Sequence, residues 1–149
     1  MPFRLEIVTA DREVFADDVE FVVAPGAEGE LGILPKHAPL ISALKAGELR
    51  MRRAGQVEYF AIGGGFVQIR ADKVVVLADD AQHSEEIDES RAQEARERAE
   101  AELRDHPERA ADAVRALRYA QVRLQVARRQ GTRRPRRDEG SAGDGEMRG

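Results

Sequence analysis

The chain contains no cysteine and no tryptophan, and aromatic residues fill only 5% of its 149 positions. Without cysteine there is no disulfide, no thiolate nucleophile and no cysteine-ligated metal site, which suits a cytosolic protein without requiring one. No stretch approaches the roughly 18 uninterrupted apolar residues of a membrane span. The start, Met1-Pro2-Phe3-Arg4-Leu5-Glu6, lacks the apolar run of a secretion signal. Together these absences predict a soluble chain whose association with a membrane would be peripheral.

Charge, by contrast, is plentiful. Asp, Glu, Lys and Arg make up 35% of the chain, while a hydrophobic fraction of 42% still supports a core. The net charge of −4 conceals an uneven distribution. Residues 85–105 lean acidic, whereas Arg109, Arg115, Arg118, Arg123, Arg128, Arg129, Arg133, Arg134, Arg136 and Arg137 follow. Such asymmetry fits a tail for nucleic acid or a membrane surface, or two segments that attract each other.

Up to residue 84 the hydrophobic period is two. Phe3, Leu5 and Ile7 alternate with Arg4 and Glu6, and similar runs follow at residues 19–23, 31–34, 49–52, 57–62, 66–70 and 74–77. Ala24-Pro25-Gly26, Ala54-Gly55, the glycines 63–65 and Ala71-Asp72 read as the turns between them. Short strands with frequent turns and no intervening helix predict an antiparallel sandwich or barrel.

After residue 86 the period lengthens. Ala92, Ala95, Ala99 and Leu103 share one helical face, His106-Pro107 interrupts, and a second stripe runs Ala110, Ala113, Val114, Leu117, Ala120, Leu124, Ala127. Two amphipathic helices with a short joint predict an antiparallel hairpin. Alanine offers far less apolar area than the roughly 1.5–3 kcal/mol of a buried leucine or valine. The hairpin is therefore expected to be weakly held, either as an appendage that docks and detaches or as a marginal helix pair.

The overall expectation is α+β. An N-terminal antiparallel β-sandwich covers residues 1–84, a C-terminal α-helical hairpin covers 85–130, and a disordered tail covers 131–149.

No catalytic constellation emerges. Gly63-Gly64-Gly65 lacks the Lys-Ser/Thr pair of a phosphate loop and leads into strand, so it reads as a tight turn or bulge. His37, His83 and His106 share no metal-ligand spacing with acidic partners, and no serine sits in a nucleophile elbow. The paired acids Asp79-Asp80 and Glu85-Glu86 read as solvated linker charge. Gly29 to Leu40, punctuated by two glycines and two prolines, implies a fixed loop. It can be a contact surface or a sandwich corner. Asp88 is a good helix N-cap. It could also accept hydrogen bonds from an adenine amine or a ribose, with Arg91, Arg98 and Arg123 facing phosphates. A solvated arginine face is the competing reading.

In order and spacing these landmarks resemble the epsilon subunits of bacterial F-type ATP synthases, across residues 3–130. They are Val14-Phe15 with Asp18-Val19-Glu20, Gly29-Glu30-Leu31-Gly32-Ile33-Leu34-Pro35 with His37-Ala38-Pro39-Leu40, Gly64-Gly65-Phe66-Val67, Lys73 to Asp79, and Ile87-Asp88-x-x-Arg91-Ala92. The resemblance implies a β-sandwich followed by a helical hairpin and a non-catalytic role on the rotor. It implies a gamma subunit and a membrane-embedded c-ring as partners, on the cytoplasmic face of the cell membrane. Glu30, Leu31, Gly32, Ile33 and His37 match the family's ring-contacting region, with Lys36 where a glycine is common. The family's hairpin also extends among the catalytic alpha and beta subunits and hinders hydrolysis. No cofactor is required, but some members bind ATP as a regulatory ligand; Ile87, Asp88, Arg91, Ala92, Arg98 and Arg123 stand at matching positions. Gln82 replaces an acidic residue and Tyr119 replaces an arginine, with Arg118 about 100° away around the helix. A free-standing ATP sensor is the alternative. Nucleic-acid binding by the arginine-rich tail is disfavoured, because no aromatics interleave with it.

Overall fold

A computed structural model of the chain describes residues 2–133. Its eight strands are β1 (Phe3–Val8), β2 (Glu13–Val19), β3 (Phe21–Gly26), β4 (Gly29–Ile33), β5 (Leu40–Arg53), β6 (Gln56–Ile69), β7 (Lys73–Ala78) and β8 (Ala81–His83). A 3-10 turn at Ser84–Glu86 leads to α1 (Glu89–Asp105), and a second at Pro107–Arg109 leads to α2 (Ala110–Arg133).

The strands run in the order β2-β1-β7-β6-β5-β3-β4, with β8 on β6. The long hairpin β5–β6 creates two layers from one continuous sheet. Residues 40–44 pair with 65–69 and extend through β7 to β1 and β2. Residues 46–53 pair with 56–63 and extend to β3, β4 and β8. Between the layers lie Leu5, Ile7, Val22, Leu49, Met51, Phe60, Ile62, Val67 and Val76, all fully buried. Phe15 of β2 meets Phe60 of β6 edge to face at 5.4 Å between ring centroids.

Four corrections to the pattern reading follow. The pairing is antiparallel except at β1 and β7, which run parallel, so the sheet is mixed. Ala24-Pro25-Gly26 belongs to β3, and the chain turns one step later at Ala27-Glu28. The glycines 63–65 do not separate two strands. They bend β6 where it passes between layers, and the ladder is interrupted at Lys45 and Gly64 while the register stays the same on both sides. Gly64 and Gly65 take φ of 103° and 134°, and a Cβ on Gly65 would lie 2.1 Å from the Leu77 carbonyl oxygen. Finally, residues 19–23 are not one run. The chain changes layer at Glu20, ending β2 and starting β3 without a glycine or proline.

The two helices form where the stripes place them. The Asp88 side chain caps α1 by accepting from the Arg91 backbone N–H at 3.2 Å. Glu102 and Arg109 pair at 2.8 Å across the joint, and Arg128 reaches Glu89 at 3.2 Å between the helices. Ala92 and Ala99 of α1 face Ala113, Ala120 and Leu124 of α2 in a small-residue seam, all buried. α2 carries a second buried position, Val126, outside the predicted stripe. It needs two apolar sides because it packs on α1 and also on β5 and β6. α2 extends to Arg133, so residues 131–133 of the expected tail are helical; the remainder of that tail lies outside the described residues.

Candidate functional site

Two outer faces of the sandwich differ sharply in what covers them. On the β5–β6–β8 face, Glu48, Ala61 and Gln82 are direct neighbours across three strands. α2 lies over this row. Arg123 Nε donates to Gln82 Oε1 at 2.9 Å, and its guanidinium stands over the Tyr119 ring at 5.6 Å. Arg129 Nε donates to Glu48 Oε1 at 2.9 Å and its guanidinium stands over the Tyr59 ring at 5.2 Å. The Glu48 side chain is only 9% exposed, and the bond to it raises the Arg129 pKa. Ala61, between the two contacts, is fully buried by the helix above it.

Beside this row lies a cluster that the sequence reading took for solvated charge. Burial, and then the adjacent Asp79, push the Asp80 pKa up, with Arg123 opposing. Burial and then the charge of Asp80 push the Tyr119 phenol up to about 12, which keeps it neutral. A Cβ on Gly63 would come within 2.9 Å of the Asp80 Cβ and 3.2 Å of the Tyr119 ring, so the glycine lets α2 approach.

The linker is fastened separately. His83 Nε2 contacts Glu58 Oε1 at 2.9 Å, while its Nδ1 accepts from the Glu85 N–H at 3.0 Å. Glu86 accepts from the His83 backbone and from Arg12. Burial works against the charge on Glu86, yet the Arg12 bond and the His83 N–H hold its pKa below the usual carboxylate value. Arg53 bridges Asp17 at 2.8 Å and Glu58 at 2.9 Å, extending the network across both layers.

The opposite face, on β5–β6–β7, is left uncovered by the described residues and is largely apolar, with Gln68 between Ile41 and Val75. Ile41 (68% exposed), Phe66 (55%) and Leu77 (51%) project from three adjacent strands, with Phe66 directly paired to Leu77 and to Ala43. Half-buried Val8 and Val75 extend the patch. Exposed Leu34 and Leu40 flank the preceding turn.

The predicted ring-contact residues divide. Glu30, Leu31 and Gly32 lie on β4, an edge strand paired only with β3 among the described residues, and Glu30 reaches Arg50 at 3.5 Å. His37 follows in a turn whose backbone N–H donates to Leu34 at 3.2 Å. Ile33, at 1% exposure, belongs to the core and supports this edge from beneath.

The predicted nucleotide residues are not gathered into one pocket. Ile87 is half-buried and Ala92 fully buried in the helix seam. Asp88 serves as the N-cap, with the Arg91 side chain 80% exposed and 3.9 Å from it. Arg98 is exposed on α1, while Arg123 is held by Gln82 and Tyr119. The clefts along α2 are lined by Asp79, Asp80, Tyr119 and Arg123, without Asp88, Arg91 or Arg98. Sequence reasoning missed Glu48, Tyr59, Asp80 and Arg129. Arg129 and Glu48 are 81 residues apart, beyond the reach of any local pattern.

These features define a two-part scaffold protein: a β-sandwich with one bare apolar face, and a helical hairpin folded on its other face. A family profile described as ATP synthase, Delta/Epsilon chain, beta-sandwich domain matches residues 2–84, and one for the family's long alpha-helix domain matches residues 85–128. The ATP synthase epsilon chain of Dehalococcoides mccartyi is 51% identical over 127 residues, spanning 83% of this chain and 91% of the relative. That of Herpetosiphon aurantiacus is 48% identical over 130 residues, spanning 86% and 96%. A chain in the cryo-EM structure of the Euglena gracilis mitochondrial ATP synthase shares the fold with a TM-score of 0.59. Its identity is 23%, over 86% of this chain and 78% of that one. The chain belongs to the ATP synthase delta/epsilon chain family, as an epsilon-type stalk subunit that is not itself catalytic.

Proposed function

We propose that this subunit joins the rotor of a proton-translocating synthase and regulates the direction of its chemistry. The sandwich fastens the gamma subunit to the c-ring at the cytoplasmic face of the membrane, so that proton-driven rotation reaches the catalytic head. The observation that carries this reading is the uncovered Ile41–Phe66–Leu77 face. Three large apolar side chains on adjacent strands, left in water, are the mark of a protein-binding surface. We assign this face to gamma, and the free β4 edge with His37 to the ring.

The hairpin supplies regulation. Folded on the sandwich it is inert; extended among the catalytic alpha and beta subunits it hinders ATP hydrolysis. ATP acts as a regulatory ligand only to the extent that it binds the folded state better than the extended one. The exposed Arg91 and Arg98 guanidiniums are the groups open to its phosphates.

The decisive experiment compares ATP hydrolysis by complexes carrying the full chain and a chain ending at Glu86. That end point preserves β8 and its pairing to β6, which a cut at Asp80 would remove. Hydrolysis is expected to rise in the truncated complex. Unchanged hydrolysis under every nucleotide and gradient condition refutes the inhibitory role, and failure to co-purify with gamma and the ring refutes the stalk assignment.

A further inference from the structure

We propose that the folded hairpin is held by a two-point arginine clasp built into this chain, Arg123 on Gln82 and Arg129 on Glu48, which closes without any ligand. The acceptors stand at the two ends of one row across β5, β6 and β8, with Ala61 between them. Strands lie about 4.8 Å apart, so two steps span roughly 10 Å. Arg123 and Arg129 are six residues apart on α2, a rise of about 9 Å along the helix. The two spacings match, and the two arginines lie about 120° apart around the helix, one on either side of the buried Val126, so both long side chains reach the row at once. Ala61 makes this possible because a larger side chain there would lift the helix from the row.

Each contact has a further component. The Arg123 guanidinium stands over Tyr119 of its own helix, which fixes the fork toward Gln82. The Arg129 guanidinium stands over Tyr59 of β6 and bonds a carboxylate that is nearly closed off from water. The two points therefore differ in kind. Arg123–Gln82 is a charged donor on a neutral acceptor, whereas Arg129–Glu48 is an ion pair whose carboxylate becomes fully hydrated when the helix lifts.

By contrast, the helix seam offers mostly alanine, and no pairs between α1 and the sandwich match these contacts among the described residues. The clasp thus sits on α2, and α1 is carried with it. This deepens the regulatory reading given above by naming what must break before the hairpin extends. It is tested on the isolated chain, so its failure is separable from a failure of the hydrolysis experiment.

The absence of cysteine permits paired spin labels at two exposed positions, Arg70→Cys on the sandwich side and Gln121→Cys on α2. The full chain is expected to give one narrow distance population without nucleotide. Arg129→Glu, which sets like charge against Glu48, is expected to raise the undocked-to-docked ratio at least about tenfold, equivalent to about 1.4 kcal/mol. Arg129→Lys restores docking in part, and Arg123→Ala combined with Arg129→Ala releases the hairpin. Arg128→Glu makes the same charge change one residue away, against α1 rather than the sandwich, and is expected to leave the distance unchanged. Circular dichroism of the strands checks that the sandwich stays folded. The proposal is overturned if the double arginine variant keeps the narrow population, or if Arg128→Glu opens the hairpin as readily as Arg129→Glu.

Discussion

His83 and Glu58 meet at 2.9 Å, between Nε2 of the imidazole and a carboxylate oxygen. The other ring nitrogen accepts from the Glu85 N–H, so the proton must sit on Nε2 and point at Glu58. The ring also stands edge-on to Phe60 at 4.9 Å, which ties the linker to the core. A tautomer is thereby fixed by the fold. Nitrogen NMR of the neutral ring is expected to show a bare Nδ1 and a protonated Nε2; the reverse would mean that the linker is not fastened as described.

Replacing this ring removes both bonds. His83→Ala is expected to destabilise the linker by about 1–2 kcal/mol, from one charge-assisted bond and one lost turn cap. Amide exchange at Glu85 should accelerate by roughly tenfold or more, while exchange in β1 and β7 stays unchanged. Equal acceleration throughout would show instead that His83 supports the whole sandwich.

Among the described residues two that are not glycine hold left-handed backbone, Lys36 at φ 64° and Ala54 at φ 52°. Ala54 and Gly55 form a two-residue turn with positive φ at both positions, where Asn-Gly is favoured. A left-handed L-residue costs about 1–2 kcal/mol, and glycine returns about 0.5–1 of that as chain entropy. Lys36→Gly and Ala54→Asn are each expected to stabilise by about 0.5–1 kcal/mol. Urea midpoints measure this, and a fall in either midpoint contradicts the backbone assignment.

These two positions also indicate what was legible beforehand. The Ala54-Gly55 turn, the buried alternation of Phe3, Leu5 and Ile7, and the N-cap at Asp88 are local signals, and each appears where the residues place it. The bend at Gly63–Gly65 was seen but misjudged, because glycines that interrupt a run look alike whether the strand ends or only changes layer. The parallel pair β1–β7 and the row Glu48–Ala61–Gln82 leave no local trace. The exposed face escaped notice for a different reason: residues 74–77 are apolar on both sides, so period alone cannot say that Leu77 points outward.

Asp80 supplies a pH-dependent test of the dock. Its pKa is raised in the folded chain by burial and by Asp79, against the pull of Arg123. A raised carboxylate pKa means that the folded state binds the proton more tightly than the unfolded chain does. The benefit is complete below the ordinary value of about 3.9 and is lost as pH rises through the folded-state pKa. Above that point the partly desolvated charge is a standing penalty. Asp80→Asn is therefore expected to be more stable than the wild type at pH 7, with the gap closing toward pH 4. Glu6, Asp17 and Glu86 shift the opposite way, so their contribution disappears in acid and total stability still falls. The difference between the two proteins isolates Asp80, and a gap that widens in acid refutes the account.

Phe66 and Leu77 form a directly paired couple in the sheet, yet more than half of each lies exposed. Fold stability gains little from such side chains, so Phe66→Thr with Leu77→Thr keeps strand propensity and is expected to shift stability by only about 0.5 kcal/mol. Partner binding should respond differently. Large apolar groups at the centre of an interface commonly carry about 2 kcal/mol or more, so affinity for purified gamma subunit is expected to fall roughly thirtyfold. Glu30→Ala and His37→Ala, on the edge assigned to the ring, should leave that titration unchanged. If instead the threonine variant binds gamma normally, the uncovered face does not seat gamma. If it unfolds, the two side chains serve the sandwich despite their exposure, because a group that stabilises only the complex cannot also be required by the free chain.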